Sequence, residues 1–280
     1  MKWLTSLLCL LLCTCSKKPL DVHVMTANIR YINGGDRGAK TWINRRDDMA
    51  RLMREQDLDF IGLQEAFRVM IDDIHERMPG YGEIGVGREN GKQKGEYAAI
   101  LFKQAAWTTM DHGTFWLSDT PEVIASSTWG NHVTRICTWG KFRHNSTQRV
   151  LLVFNAHFDH ESQPAREKSA SLILQSMRQQ DPDIPVILLG DLNAPPDNPA
   201  IRLITSGERP LRDAWAVVPL LPPEQSGTYH GFSGKHNGAR IDYIFTSDHI
   251  QPQSAKIHHD NREGMYPSDH YPVSARLRWP

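Results

Sequence analysis

A strand–helix–strand pattern occurs twice in this chain, and all four of its strands run from apolar into polar residues. In the first copy, "DVHVMTANIRY" reads as a strand, "WINRRDDMARLMREQ" places Trp42, Met49, Ala50 and Met53 on one helical face, and "LDFIGLQEA" returns as a strand. In the second, "RVLLVFNAHFDH" and "IPVILLGDLNA" flank the helix "PAREKSASLILQSMRQQ", where Ala170, Ile173, Leu174 and Met177 keep the spacing of an apolar stripe. An apolar stripe and a sheet face must each be buried against another element. Two such units without close sequence repetition predict an α/β fold of two packed sheets with helices outside. Shorter strands fill the middle ("EYAAILF", "HGTFWLS", "RICTWGKF"), and "ARIDYIFTS" and "HYPVSARLRW" are read as the last two strands. Loops rich in Gly, Asn, Ser and Pro are expected at 32–40, 85–95 and 216–240.

Residues 1–15 are read as an export segment. Lys2 precedes an apolar run from Trp3 to Leu12 that is too short to span a bilayer as a helix. "LCTC", ending at Cys15, resembles a bacterial lipoprotein signal in which Cys15 becomes the lipid-bearing N-terminus. Cys13 departs from that pattern, and a plain secretory signal is the alternative. Either way the protein is expected outside the cytoplasm, in the periplasm or cell envelope or secreted. Residues 16–20 form a linker, and no composition break divides 21–280, which are read as a single domain. Past the signal only Cys137 remains, with Cys15 if lipidated, so the fold rests on its core and not on disulfides. The chain carries 32 Lys+Arg against 32 Asp+Glu. It therefore lacks the basic footprint of a dedicated duplex-DNA binder.

The strand ends carry Asn28, Glu65, then Asn155, His157 and Asp159, then Asp191 and Asn193; Asp242 lies inside "RIDYIF", and Ser268, Asp269 and His270 precede the final strand. Each has an ordinary explanation alone: a turn former, a solvated terminus, a satisfied histidine. Those explanations would have to hold at every strand end together. Period two places Asp191 and Asn193 on one side of their strand, and likewise Asn155, His157 and Asp159. Asn28, Glu65 and Asp269 are hard oxygen donors of the kind that suits Mg²⁺ or Mn²⁺. Asp191 can orient or deprotonate a water. Asn193, His157 and His270 can donate hydrogen bonds to phosphoryl oxygens. A buried Asp242 suits holding His270 in one tautomer and cationic. No G-x-S-x-G motif is present, which favours direct attack by water.

In this order the motifs "TANIR", "LQEA", "NAHFD", "GDLNAPP", "IDYIF" and "SDHYPV" resemble the endonuclease/exonuclease/phosphatase superfamily, which includes deoxyribonucleases, inositol-polyphosphate phosphatases, neutral sphingomyelinases and nocturnin-like deadenylases. They cover nearly the whole mature chain. The resemblance implies a four-layered α/β sandwich, two mixed sheets flanked by helices, with a site where the sheets meet at one edge. It also implies divalent-metal phosphoester hydrolysis. Segments such as "GEY", "GTFWLS" and "YPSDHYP" are similar to exported bacterial members, and within that likeness Arg30, Glu96, Tyr97, Trp116, His160 and Arg166 become pocket residues. "GNH" at 130–132 imitates a calcineurin-like metallophosphatase, but Val133 stands where an acid is needed and the motif order is reversed.

The expected protein is an exported, metal-dependent phosphoesterase acting on a small organophosphate, sugar phosphate or lipid headgroup, as a monomer with a lipid tether. A nuclease acting on extracellular DNA or RNA is the enzymatic alternative. A non-catalytic binding module on the same fold is the alternative of another class.

Overall fold

The computed structural model describes residues 18–218 and 222–280, so the expected export segment lies outside the described residues. In chain order the elements are β1 (Leu20–Asn28), α1 (Trp42–Glu55), β2 (Phe60–Gln64), α2 (Arg68–Arg77), β3 (Tyr81–Ile84), β4 (Ile100–Lys103), β5 (Trp107–Trp116), β6 (Ile136–His144), β7 (Val150–His157), α3 (Gln163–Arg178), β8 (Val186–Asp191), α4 (Pro199–Ser206), β9 (Arg212–Asp213), α5 (Ala214–Val217), β10 (Asp242–Thr246), β11 (Gln251–Ile257) and β12 (Val273–Trp279). They form two six-stranded sheets, ordered β11-β12-β1-β2-β4-β3 and β5-β6-β7-β8-β10-β9. The pairs β1–β2 and β7–β8 are parallel and the other pairs antiparallel, so both sheets are mixed. Each parallel pair needs a crossover, and α1 and α3 are those crossovers.

Three apolar layers separate four structural ones. Val22, Val24, Phe60, Phe142, Val153 and Leu189 pack between the sheets. Met25, Ala27 and Leu63 pack outward against Met49, Met53 and Ile71 of α1 and α2. On the other side Leu152, Phe154 and Leu188 meet Ala170, Ile173 and Ile201 of α3 and α4. The period-two split of β1, Val22 and Val24 to one layer, Met25 and Ala27 to the other, is what makes one strand serve two cores. The sheets approach closely at Gly62, where a Cβ would lie 2.8 Å from Asn155 Oδ1.

Several elements differ from the sequence reading. The stretch "QPQSAKI" forms β11, so Asp242 belongs to the third strand from the end, not the penultimate one. β11 lies at a sheet edge, where its Pro252 is tolerated. In "EYAAILF" the strand starts only at Ile100, after an isolated bridge between Tyr97 and Ala66. Leu20, read as linker, already pairs with Trp279 in β1. Among the described residues no helix is long and apolar enough to cross a membrane.

Candidate active site

The layer between the sheets turns polar at one edge. On β1 the face bearing Val22 and Val24 ends in Asn28; on β7 the face of Leu151 and Val153 continues to Asn155 and His157; on β8 that of Ile187 and Leu189 ends in Asp191. The register places Asp191 between His157 of β7 and Asp242 of β10. All five polar residues are at most 6% exposed. Burying such groups is costly unless each finds a partner, and each does.

Asn155 finds its partners in the fold. Its Nδ2 donates to the carbonyls of Leu63 and Ala99, and its Oδ1 accepts from Gln64 Nε2 at 2.6 Å. It ties the two sheets together. Asp159 likewise takes the N–H groups of Glu161 and Ser162 and pairs with Arg135, at the entry to α3.

Backbone conformation brings in residues that alternation would misplace. Gln64 faces the inter-sheet layer, so Glu65 should face the helices. Its φ of +59° breaks the pleat, and its carboxylate accepts from Asn28 Nδ2 at 3.0 Å and the Tyr31 N–H at 3.0 Å. Asn193, read as a same-side neighbour of Asp191 on a strand, instead lies beyond the end of β8 with φ +47°. Its N–H donates to Asp191 Oδ1 and its Nδ2 to the Phe158 carbonyl. Arg30 has φ +55° and lies 3.6 Å from Asp269 Oδ2. Left-handed non-glycine residues are uncommon and gather at functional sites; three of them border this cleft. Arg45, unremarked in the sequence, fixes this corner by donating to the carbonyls of Ile29, Arg30, Lys40 and Pro267.

A line of charged groups runs along the cleft floor. His270 Nδ1 lies 2.9 Å from Asp242 Oδ2, and its Nε2 3.8 Å from Asp191 Oδ2. His157 Nε2 lies 3.4 Å from the same Asp191 oxygen, and its Nδ1 4.0 Å from Glu96, which pairs with Arg88 at 2.7 Å. Asn28 Nδ2 also donates to Asp191 Oδ2, at 2.9 Å. Burial alone would lower the His270 pKa, but Asp242, Asp191 and Asp269 carry it well above the ordinary histidine value. Burial, with the charges of Arg135 and Arg88, holds His157 well below it. Burial and the Asp242 charge push the Asp191 carboxyl up, against the pull of His270 and Asn28.

Two donor groups here suit a cation. The ligand atoms of Asp191, Asp242 and His270 lie within 4.8 Å of one another and could share one metal ion. That group already contains its own cationic imidazole. Glu65 and Asp269 form the second group: burial pushes the Asp269 carboxyl up and the Glu65 charge adds to it, with His270 and Arg30 opposing. Two mutually repelling carboxylates on one wall fit a hard divalent ion. Asn28 has its Oδ1 on the Arg30 N–H and its Nδ2 on Glu65 and Asp191, so in this arrangement it fixes the donors.

These groups open into a cleft of about 510 Å³. Of the residues expected at the site, Glu65, His157, Asp191, Asn193, Asp269 and His270 line it, as do Arg30, Glu96 and His160. Asn28 and Asp242 lie beneath its wall. Three expected pocket residues lie off it. Tyr97 is in the core beside α2 and donates to the Lys92 carbonyl; Trp116 is buried and donates to the Arg88 carbonyl; Arg166 is bound to Gln163 and the Asp159 carbonyl. Sequence reading overlooked Tyr31, Arg88, Arg135 and Tyr229, which do line the cleft. None of the four lies within a strand or helix, although Tyr31 and Arg135 stand at the ends of segments read as strands. Tyr229 is 46% exposed, with its ring centroid 5.0 Å from that of His270. A second cavity of about 360 Å³, between the C-terminal ends of α3 and α4, has only exposed titratable residues and no comparable convergence.

The model of the Endonuclease/Exonuclease/phosphatase family matches residues 25–270. An endonuclease/exonuclease/phosphatase family protein from Bacteroides thetaiotaomicron superposes with a TM-score of 0.88 at 33% identity, over 94% of this chain and 99% of that one. A mannosyl-6-phosphatase, Bt3783, from Bacteroides thetaiotaomicron VPI-5482 superposes with a TM-score of 0.84 at 33% identity, over 91% and 99%. Uncharacterized protein L388 of Acanthamoeba polyphaga mimivirus is 28% identical over 160 residues, 54% of this chain, and the match spans 59% of that relative.

Proposed function

Because the chain belongs to the endonuclease/exonuclease/phosphatase family, we propose that it is a divalent-metal-dependent phosphoesterase that hydrolyses a small phosphate ester by direct attack of water. The observation that carries this reading is Asp191, buried between two imidazoles whose pKa values are driven in opposite directions, on the floor of a cleft. Asp191 orients the water and takes its proton; burial that raises its pKa makes it a better base. His270, held by Asp242, donates to a phosphoryl oxygen where charge gathers, and Asn193 is a second donor. Glu65 and Asp269, with Asn28 fixing Glu65, would hold Mg²⁺ or Mn²⁺, which supplies charge neutralisation at the phosphoryl oxygens when bound.

A cleft of about 510 Å³ lies in the range of small-molecule sites. That size, and a solved relative named for a sugar phosphate, support a phosphorylated sugar over a polymer. The exposed Tyr229 ring offers it an apolar face. The sequence of residues 1–15 supports an exported protein, lipid-tethered through Cys15 or secreted.

The test is a panel assay after chelator dialysis: mannose 6-phosphate, p-nitrophenyl phosphate, bis-p-nitrophenyl phosphate, and single- and double-stranded DNA and RNA. Hydrolysis of small esters should return on adding Mg²⁺ or Mn²⁺. Preferential degradation of nucleic acid establishes the nuclease alternative, silence across the panel the non-catalytic one, and turnover persisting in chelator removes the metal.

A further inference from the structure

We propose that Arg88, Arg135 and His160 bind a second anionic group of the substrate, a phosphate or carboxylate besides the phosphate that is hydrolysed. This rests on the reading of the cleft as a small phosphoesterase site.

The three residues sit beyond His157 from the hydrolytic centre. From Asp191 the order along the floor is His157, then Glu96, then Arg88, at 3.4, 4.0 and 2.7 Å. There Arg88, Arg135 and His160 line the cleft beside Glu96. Arg135 is 4% exposed, and the Arg88 side chain 13%. Two guanidinium groups are thus buried side by side, close enough that the charge of Arg135 helps lower the Arg88 pKa, behind burial itself. Buried like charges are costly. Glu96 and Asp159 offset one each, but Asp159 also accepts the N–H groups of Glu161 and Ser162.

Arg45 shows what a structural arginine looks like in this protein. It is 1% exposed, and its Nε and both terminal nitrogens donate to carbonyls. Arg135 uses Nε on Asp159 and Nη2 on His160 Nδ1, leaving Nη1 without a hydrogen bond; Arg88 uses only Nη2, leaving Nε and Nη1. None of these three nitrogens is sealed from the cleft as a buried, unpartnered atom. The Arg88 guanidinium is held by Glu96 at 2.7 Å, and that of Arg135 by Asp159 at 3.4 Å and His160 at 2.9 Å. Held guanidinium forks with free N–H groups recognise phosphate and carboxylate. The hydrolysed phosphate lies at Asp191, so the group met here is a second one.

The experiment is calorimetric binding to the Asp191→Asn protein with Mg²⁺, using glucose 6-phosphate, glucose 1,6-bisphosphate and 6-phosphogluconate. At least one of the two ligands with a second anionic group should bind about tenfold or more tightly than glucose 6-phosphate, as expected for hydrogen bonds to a charged group. The bisphosphate and the sugar acid distinguish a phosphate from a carboxylate. Arg135→Gln and Arg88→Gln, each added to that background, should erase the preference. If Arg135→Gln does not fold, Arg88→Gln and His160→Ala decide. Equal affinities, no binding of any ligand, or a preference that survives the substitutions overturns the proposal. So does loss of glucose 6-phosphate binding together with the preference, which would assign the arginines to the hydrolysed phosphate. A preference without any hydrolysis by the unsubstituted protein refutes the proposed function and leaves this site standing; hydrolysis without a preference does the reverse.

Discussion

Asp191 lies between two imidazoles, and the regions on its two sides hold them in opposite states. On one side His270 faces Asp242, Asp191 and Asp269, and its pKa is carried well above the ordinary value. On the other, burial holds the His157 pKa well below it, and the charges of Arg135 and Arg88, behind its contacts with Asp191 and Glu96, act in the same direction. Both rings are buried to a similar degree, 5% and 6% exposed, so burial cannot make the difference. The sign of the neighbouring charge does. One fold edge therefore presents a cationic donor and a neutral imidazole to the same carboxylate, the kind of divergence that separates acid from base roles.

The strongest way to break this comparison is to remove the cationic member. His270→Ala should lower kcat by about 10³-fold while the fold survives, the upper part of the range for a positioned proton donor; a rate near that of the unsubstituted enzyme would take His270 off the catalytic list. Asp242→Asn sharpens the point, because it leaves the imidazole and removes its charge partner. We expect about a 10²-fold loss and a high-pH limit of activity that moves to lower pH, as the His270 pKa falls. An unmoved pH profile would mean that Asp242 does not hold the charge. Asn155→Ala is the contrasting substitution within the same polar edge. It should cost about 1–3 kcal/mol in denaturant unfolding, because the Leu63 and Ala99 carbonyls and the Gln64 amide each lose a hydrogen bond in the buried layer, with kcat unchanged.

The smallest expected effect is on pH-dependent stability. His270, raised in the fold, contributes stability that is fully present below its unfolded pKa and is lost as pH rises through its folded value. His157, lowered in the fold, contributes stability present above the unfolded pKa and lost as pH falls through its folded value. Relative to the unsubstituted chain, His270→Gln should lose most Tm at acid pH and least at alkaline pH, and His157→Gln the reverse. Parallel curves for the two variants would contradict the assignment of opposite pKa shifts.

How legible this was in the sequence depends on the residue. Asn28, His157 and Asp191 extend alternating strands whose inter-sheet face is apolar, so period two places them correctly, and Asp242 follows from the pairing of its strand with β8. The same rule cannot tell Asn155 from its neighbours, since a sheet-tying amide and a cleft residue look alike at a strand end. Glu65 and Asn193 reach the cleft through left-handed backbone, which side-chain alternation does not encode; period two pairs Asn193 with Asp191 on a strand that in fact ends at Asp191, and the motif alone points to Glu65. Tyr97, Trp116 and Arg166 were proposed for the pocket from family likeness alone, and the structure gives them packing and hydrogen-bonding partners outside it. Arg88 lies between short elements, where no periodic signal exists, and Arg135 stands just ahead of β6 at the head of a segment read as a strand, where alternation does not mark it as a cleft residue. The two sheets were evident from the strand–helix–strand units, whereas edge strand β11, with its proline and mixed polarity, was not.

The most direct measurement is kcat/KM of the unsubstituted and Asp191→Asn proteins on p-nitrophenyl phosphate with saturating Mg²⁺, with circular dichroism to verify the fold. If Asp191 addresses the attacking water, the value should fall by about 10³-fold or more. Rates within about threefold of each other, in a folded variant, would contradict a hydrolytic centre built on this carboxylate.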